Sequence, residues 1–335
     1  MKKSTLVIIL GIGISVFFLF NALRNVDIEE VGQALTSVNY CWLVLASFTY
    51  FCAYPARGLR WNYILLPIKK CRIADLTSVM CIAFMANNIF PLRIGEIVGA
   101  YVLAKKEGIS KSTSLATVVM TRVFDGIAFI LYAPIVLFLL YLHKNFGMNT
   151  LRIPWLRYTG IMAIAIFVGS LLFLYGMLKK RELTVNIFRR IFFFTGEKFL
   201  ERLTGIINSF IEGLTVLRST KHVTMTLLSS LLVWFFEGTT FYLVIRAFGM
   251  GLTYPMAFFV MIVVGMGVLL PSSPGFIGVY EYFCIVGMAL FGVEKSRALT
   301  YSLVTHSLQF LLIIAMGFFC LSREGLSLAK LKKEV

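Results

Sequence analysis

Charge is the scarcest thing in this sequence. Only 14% of its 335 residues are charged, against about 25% in an ordinary soluble domain. Acid is scarcer still, with 16 Asp and Glu against 32 Lys and Arg, which leaves a formal charge of +16. The three histidines, His143, His222 and His306, are scattered. The cysteines Cys41, Cys52, Cys71, Cys81, Cys284 and Cys320 form no Cys-x-x-Cys pair, so zinc and thiol-redox spacings are missing. No Asp-x-Asp offers a metal-binding carboxylate pair. No nucleic-acid-binding motif accompanies the basic excess, so nucleic acid is not an expected partner. No cofactor is expected either.

Apolar residues make up 59% of the chain. Several apolar runs reach the ~20 residues that cross a hydrocarbon core of ~30 Å. The chain therefore reads as an all-α polytopic membrane protein, a single transmembrane domain over 1–335. Full spans are expected at about 5–23, 40–58, 113–141, 158–178, 222–248 and 296–321. The first follows Met1-Lys2-Lys3 without a small-x-small cleavage site, so it reads as a retained span. Two more apolar regions, 74–104 and 254–291, are interrupted at Pro91 and at Pro271 and Pro274. Proline removes its own N–H donor and disfavours helix at the residue before it. Both regions read as broken re-entrant helical hairpins, which membranes tolerate only beside protein or a water-filled cavity.

Basic residues set the expected orientation. Lys2 and Lys3, then Arg57, Arg60, Lys69, Lys70 and Arg72, then Lys105, Lys106 and Lys111 flank successive apolar segments. The segment from Lys179 to Lys221 and the tail with Arg323, Lys330, Lys332 and Lys333 are basic too. All fall on one side if each hairpin returns to the side it entered, which makes that side and both termini cytoplasmic. Lys144, Arg152 and Arg157 fit this scheme worst. The expected location is the cytoplasmic (inner) cell membrane. Residues 182–220 hold no span. Phe199, Leu203, Ile206, Ile207, Phe210, Leu214 and Leu217 recur at helical spacing there and predict an amphipathic helix on the cytoplasmic surface, an elbow between halves.

The two broken regions resemble each other. Pro91 precedes Gly95 by four residues, and Pro271 precedes Gly275 by four. Arg122 lies fourteen residues beyond Gly108, and His306 fourteen beyond Gly292; Asp125 and Gln309 each follow three later. Under the expected topology, residues 40–141 and 222–321 form two repeat units of opposite orientation. Inverted repeats with broken helices are a common transporter build, with the substrate site near the midplane.

The informative residues are the polar groups inside apolar segments. An Arg or Asp at mid-helix costs about 2.5–3.5 kcal/mol on the insertion scale, so it needs a partner or a task. Arg122 and Asp125 are spaced i,i+3 on one helical face. They read either as a self-neutralising ion pair or as an anion-binding Arg held by an acid. Arg93 and Glu96 follow Pro91 at the start of a half-helix, where free N–H groups and the helix dipole suit phosphate. An Arg there adds a bidentate fork. Asn87 and Asn88 precede the break and could bond freed backbone groups. Alternatively, all four residues only satisfy a buried turn. Ser272 and Ser273 are candidate caps for the second half-helix, and Glu281 lies one turn inside it. Glu237 and His306 are candidates for a proton relay, or are packing residues.

Three stretches carry a family resemblance. They are Asn88-Ile89-Phe90-Pro91-Leu92-Arg93-Ile94-Gly95-Glu96, Arg122-Val123-Phe124-Asp125, and Pro271-Ser272-Ser273-Pro274-Gly275-Phe276-Ile277-Gly278-Val279-Tyr280-Glu281. In these the chain resembles the lysylphosphatidylglycerol synthase transmembrane region family of flippase-like membrane proteins. The resemblance covers nearly the whole chain. It implies a lipid translocation module without the soluble aminoacyltransferase domain, and not a synthase. The expected substrate is an anionic, phosphate-bearing membrane lipid held by Arg93, Glu96, Arg122, Asp125, Asn88, Ser272, Ser273 and Glu281. A membrane enzyme of lipid glycosylation and a scaffold for lipid synthesis are the rival readings. Homo-oligomer formation and a lipid-synthesis enzyme partner both stay open.

Overall fold

The computed structural model describes residues 3–24, 26–90, 93–141, 154–193, 196–270 and 272–328. Among the described residues there is no strand. The α-helices are α1 (Lys3–Leu23), α2 (Ile28–Thr36), α3 (Tyr40–Leu65), α4 (Ile73–Ile89), α5 (Gly95–Glu107) and α6 (Lys111–Tyr141). They continue as α7 (Pro154–Lys179), α8 (Arg181–Ile191), α9 (Glu197–Gly213), α10 (Thr220–Ala247), α11 (Tyr254–Gly267), α12 (Val279–Ala289) and α13 (Lys295–Arg323). Lys111–Leu140, Thr220–Ala247 and Lys295–Arg323 are long and apolar enough to cross a membrane by length and composition. The pair α1 and α2 passes the same test when taken as one bent span.

Both apolar interruptions break the helix as proline chemistry demands. Phe90, which precedes Pro91, is extended at ψ 146°, and Ser273, which precedes Pro274, is extended at ψ 162°. Pro91 and Pro271 themselves, the expected hairpin tips, lie outside the described residues, as do Lys144 and Arg152. The second helix after each break starts late. α5 begins at Gly95, and α12 begins at Val279 after a short 3-10 turn at Pro274–Phe276.

Packing is close where side chains are small. A Cβ on Gly58 of α3 would overlap Thr77 of α4, and one on Gly317 of α13 would overlap Met85 of α4. Small residues at crossings let helix backbones approach, which drives association where no water is expelled. α3 lies along α10 for much of its length, and α4 is held between α3 and α13.

Two expectations need correction. Arg57 and Arg60 were expected in a basic loop after a span ending near residue 58. Instead α3 runs on to Leu65, and Arg57 and Arg60 are 3% and 0% exposed. The apolar run resumes beyond them at Trp61, Ile64 and Leu65, all fully buried, and this carries the helix onward. The elbow region is two helices, α8 and α9, and not one. Gly196, at φ 84°, starts the second of them. α9 packs on α6, with Gly213 against Ala116 and Thr113.

Candidate functional site

α3, α6 and α10 converge on a buried charge cluster. Arg57 and Arg60 stand one turn apart on α3, on a face that reaches both neighbours. Arg57 pairs with Glu237 of α10, and Arg60 pairs with Asp125 of α6. Asp125 also accepts the Trp234 indole N–H at 3.0 Å and lies 3.4 Å from Arg122 Nη1. Trp61 donates to Thr117 Oγ1 at 3.0 Å and pins α3 to α6 beside this cluster. Buried carboxylates persist when their lone pairs are satisfied by such donors.

The cluster opens toward the first break. Glu96 Oε1 lies 3.1 Å from Arg122 Nη2 and 3.9 Å from Arg93 Nη2. Arg93 and Arg122 keep 31% and 35% of their side chains exposed, whereas Arg57 keeps 4% and Arg60 none. The outer two guanidiniums are therefore the accessible pair, and the inner two are structural. Phe84 of α4 lies under both layers, 4.8 Å from the Arg57 guanidinium and 5.3 Å from that of Arg122.

The local chain explains how Arg93 is presented. It has a left-handed φ of 52°, a conformation unusual for a non-glycine residue. Asn87 Oδ1 accepts the Gly95 N–H at 2.7 Å and staples the end of α4 to the start of α5. A Cβ on Gly95 would overlap Ala83 O and Asn87, so only glycine fits there. Asn88 does something different, since its Nδ2 donates to Phe84 O at 2.9 Å inside its own helix. Its backbone carbonyl faces Gly275 of the second break, 3.6 Å from where a Cβ would stand. Arg93 Nη1 donates to Val268 O at 3.1 Å, and the Arg93 guanidinium lies 5.5 Å from the Phe276 ring. The two breaks thus meet, and Arg93 bridges them.

The second break carries its own polar set. Glu281 Oε1 is 2.5 Å from His306 Nδ1, and Glu281 Oε2 accepts the Gly278 N–H at 2.6 Å. Tyr280 stacks on His306 with ring centroids 4.2 Å apart and donates to Gln309 Oε1 at 3.1 Å. This corrects the capping expectation. Glu281, in the first turn of α12, caps the half-helix. Ser273 makes no side-chain capping bond and exchanges hydrogen bonds with Ser15 of α1, at 2.8 and 2.9 Å. Ser272 sets its carbonyl against Gly11 of α1. The proposed relay pair is also separated by partner: Glu237 is held by Arg57, and His306 by Glu281.

Sequence reasoning missed Arg57 and Arg60, although the apolar residues after Arg60 signal a continuing buried helix. Among the described residues no group of three or more His, Cys, Asp and Glu is placed to hold a metal ion. The inner and outer layers together hold four guanidiniums, of Arg57, Arg60, Arg93 and Arg122, against three carboxylates, of Glu96, Asp125 and Glu237. With all seven ionised the set carries one excess positive charge (4 − 3). The Nε atoms of the four arginines and Glu96 Oε2 are buried without a hydrogen-bond partner.

A bundle of apolar helices that encloses arginines, with α4 ending at Ile89 and α11 at Gly267 ahead of the two breaks, defines a membrane-embedded protein. Residues 8–317 match the family model described as the lysylphosphatidylglycerol synthase TM region, and the chain belongs to that family. It is similar to the glycosyltransferase AglD of Haloferax volcanii, with 24% identity over 92% of this chain and 53% of that protein. The chain thus spans about half the length of that relative. It is also 24% identical to a UPF0104 membrane protein of Methanothermobacter thermautotrophicus, over 86% of this chain and 85% of the relative. A UPF0104 membrane protein of Pyrococcus horikoshii is 24% identical over 94% and 95% of the two chains.

Proposed function

We propose that this protein is a lipid translocase that moves a phosphate-bearing membrane lipid between leaflets. The carrying observation is the pair Arg93 and Arg122, each about one-third exposed, at the junction of two broken helices. One positive charge there is in excess, and the Nε donors of both arginines stand without an acceptor. A phosphate oxygen supplies the missing acceptor, and its charge relieves the local field. Glu96 and Asp125 hold the arginines, and acyl tails stay in the bilayer. No covalent step is needed, so the protein acts as a transporter and not as an enzyme.

The same reading takes the long helices as six spans and the broken regions as two hairpins in an inverted repeat. Supporting this, each half faces an i,i+3 polar pair on a long helix with an acid from the helix after the break. Arg122 of α6 pairs with both Asp125 and Glu96, while His306 of α13 pairs with Glu281 and Gln309 of α13 with Tyr280. On this reading both termini are cytoplasmic, and the basic flanks at Lys69, Lys70, Lys105 and Lys106 support it. The test is transbilayer movement of headgroup-labelled phosphatidylglycerol in proteoliposomes, with phosphatidylcholine as control. No movement above empty liposomes by folded protein removes the proposal.

The similarity to AglD favours a second reading, a part in glycolipid synthesis. Here the same arginines would hold a polyprenyl phosphate for a glycosyl transfer. Formation of glycosylated lipid by the purified chain, without lipid movement, would select it.

A further inference from the structure

A second feature lies away from the arginine cluster, at the corner where α7 ends and α8 begins. An open groove of about 280 Å³ runs between the two helices. Apolar side chains wall it, chiefly Phe173 and Met177 from α7 and Leu183 and Ile187 from α8, and the one charged group on its lining is Lys180. Gly176 forms part of the floor, and a Cβ built there meets nothing within 4 Å. This position of the lining therefore has room for a side chain. The corner is firm, because the Lys180 carbonyl accepts both the Thr184 N–H at 2.9 Å and the Thr184 hydroxyl at 3.1 Å.

Charge tells what fits. Residues 179–190 hold Lys179, Lys180, Arg181, Arg189 and Arg190 against the single acid Glu182, a net of +4 (5 − 1). Arg181 is engaged by Asn208 Oδ1 at 2.8 Å, which ties α8 to α9. The Lys180 ammonium has no hydrogen bond or ion pair among the described residues. Leu183, Ile187 and Ile191 repeat every four residues along α8 and are about half exposed. A basic helix with such an apolar stripe lies in the interface of a bilayer, stripe toward the acyl chains. Anionic headgroups gather at basic clusters beside a span.

We propose that the groove between α7 and α8 is a lipid site that holds one acyl chain of an anionic phospholipid, with its headgroup on Lys180. The site does not depend on the translocase reading, because none of its residues belongs to the arginine cluster. It gives the α8–α9 elbow a fixed seat on a negatively charged membrane surface.

The experiment uses the full chain in nanodiscs with a phosphatidylglycerol that carries a photoactivatable diazirine on one acyl chain. Crosslinked peptides are mapped by mass spectrometry, which separates this groove from the arginine cluster by sequence position. Labelling within 173–188 is expected, competed by unlabelled phosphatidylglycerol and not by phosphatidylcholine. Gly176→Phe fills the groove from a position with room for it, and is expected to lose that labelling while the protein stays folded. Lys180→Ala should lower the phosphatidylglycerol-over-phosphatidylcholine preference about fivefold, the worth of one cation near a membrane surface. Equal competition by the two lipids in the wild-type protein overturns the proposal. So does unchanged labelling in folded Gly176→Phe. If Gly176→Phe fails to fold, an unaltered preference in Lys180→Ala overturns it.

Discussion

Arg60, and not Arg122, is the principal basic partner of Asp125: the Arg60 guanidinium contacts both carboxylate oxygens, while Arg122 stands 3.4 Å from one of them. Arg122 is thereby left to Glu96 and to the open side of the cluster.

Removing one member of a buried ion pair leaves the other uncompensated, at about 3–5 kcal/mol. Arg60→Met and Asp125→Asn should each lower the unfolding midpoint sharply, and the double variant should lose clearly less than the sum. Arg122→Ala should couple to Asp125→Asn more weakly than Arg60→Met does. Thermal unfolding in detergent checks this. Strictly additive losses for Arg60 and Asp125 would count against the pairing.

Arg93→Lys keeps the charge but loses the planar fork. It should fold normally and move anionic lipid more slowly, and Arg93→Ala should move none. The left-handed φ of Arg93 adds a separate expectation. That conformation costs a non-glycine residue about 1–2 kcal/mol. Arg93→Gly should therefore be more stable than Arg93→Ala by about 1 kcal/mol, though equally inactive. A liposome lipid-movement assay run beside thermal unfolding reads both effects.

Glu281 has two tasks, holding His306 and capping Gly278. Losing a helix cap costs about 0.5–2 kcal/mol. Glu281→Gln retains an oxygen for Gly278 and should be more stable than Glu281→Ala. Equal midpoints for the two variants would mean that the cap contributes nothing.

Outside the spans, Lys106 joins Asp75 at 2.9 Å to Glu324 at 2.5 Å and ties the ends of α4, α5 and α13. Burial pushes the Asp75 carboxyl up, but hydrogen bonds from Lys106 and Arg72 and their charges outweigh it and hold it below the usual carboxylate range. A lowered folded value means that the contribution is present above the unfolded value of about 3.9 and fades as pH falls through the folded one. The wild-type midpoint should therefore drop below about pH 4, and Asp75→Asn should show a shallower drop. Parallel pH profiles would rule out a native-state role for this carboxylate.

The helices and their interruptions were legible because each signal is local. Apolar length marks α6, α10 and α13, and proline chemistry marks both breaks. Arg93, Glu96, Arg122 and Asp125 stood out because charge in an apolar run is costly, and the structure does bring them together. Arg57 and Arg60 were misread for the opposite reason. Basic residues after an apolar run look like a loop until the partners that let the helix continue are known. Those partners, Glu237 and Asp125, lie 180 and 65 residues away. The Glu281 cap was obscured because Ser272 and Ser273 are the better helix caps by residue type, yet α1 claims Ser273.

The distance along the chain between Arg57 and Glu237 has a consequence for biogenesis. At roughly 5–20 residues per second of synthesis, Arg60 waits about 3–13 s for its acid, while Arg57 waits about 9–36 s. During that interval α3 has an unneutralised guanidinium, and the emergence of α10 is what completes it. A nascent chain that stops short of Glu237 thus leaves Arg57 without its carboxylate, a charge that is costly inside an apolar segment. Chains ended near residue 230 should turn over faster in pulse-chase than chains ended near residue 250, and Glu237→Gln in the longer chain should restore the faster decay.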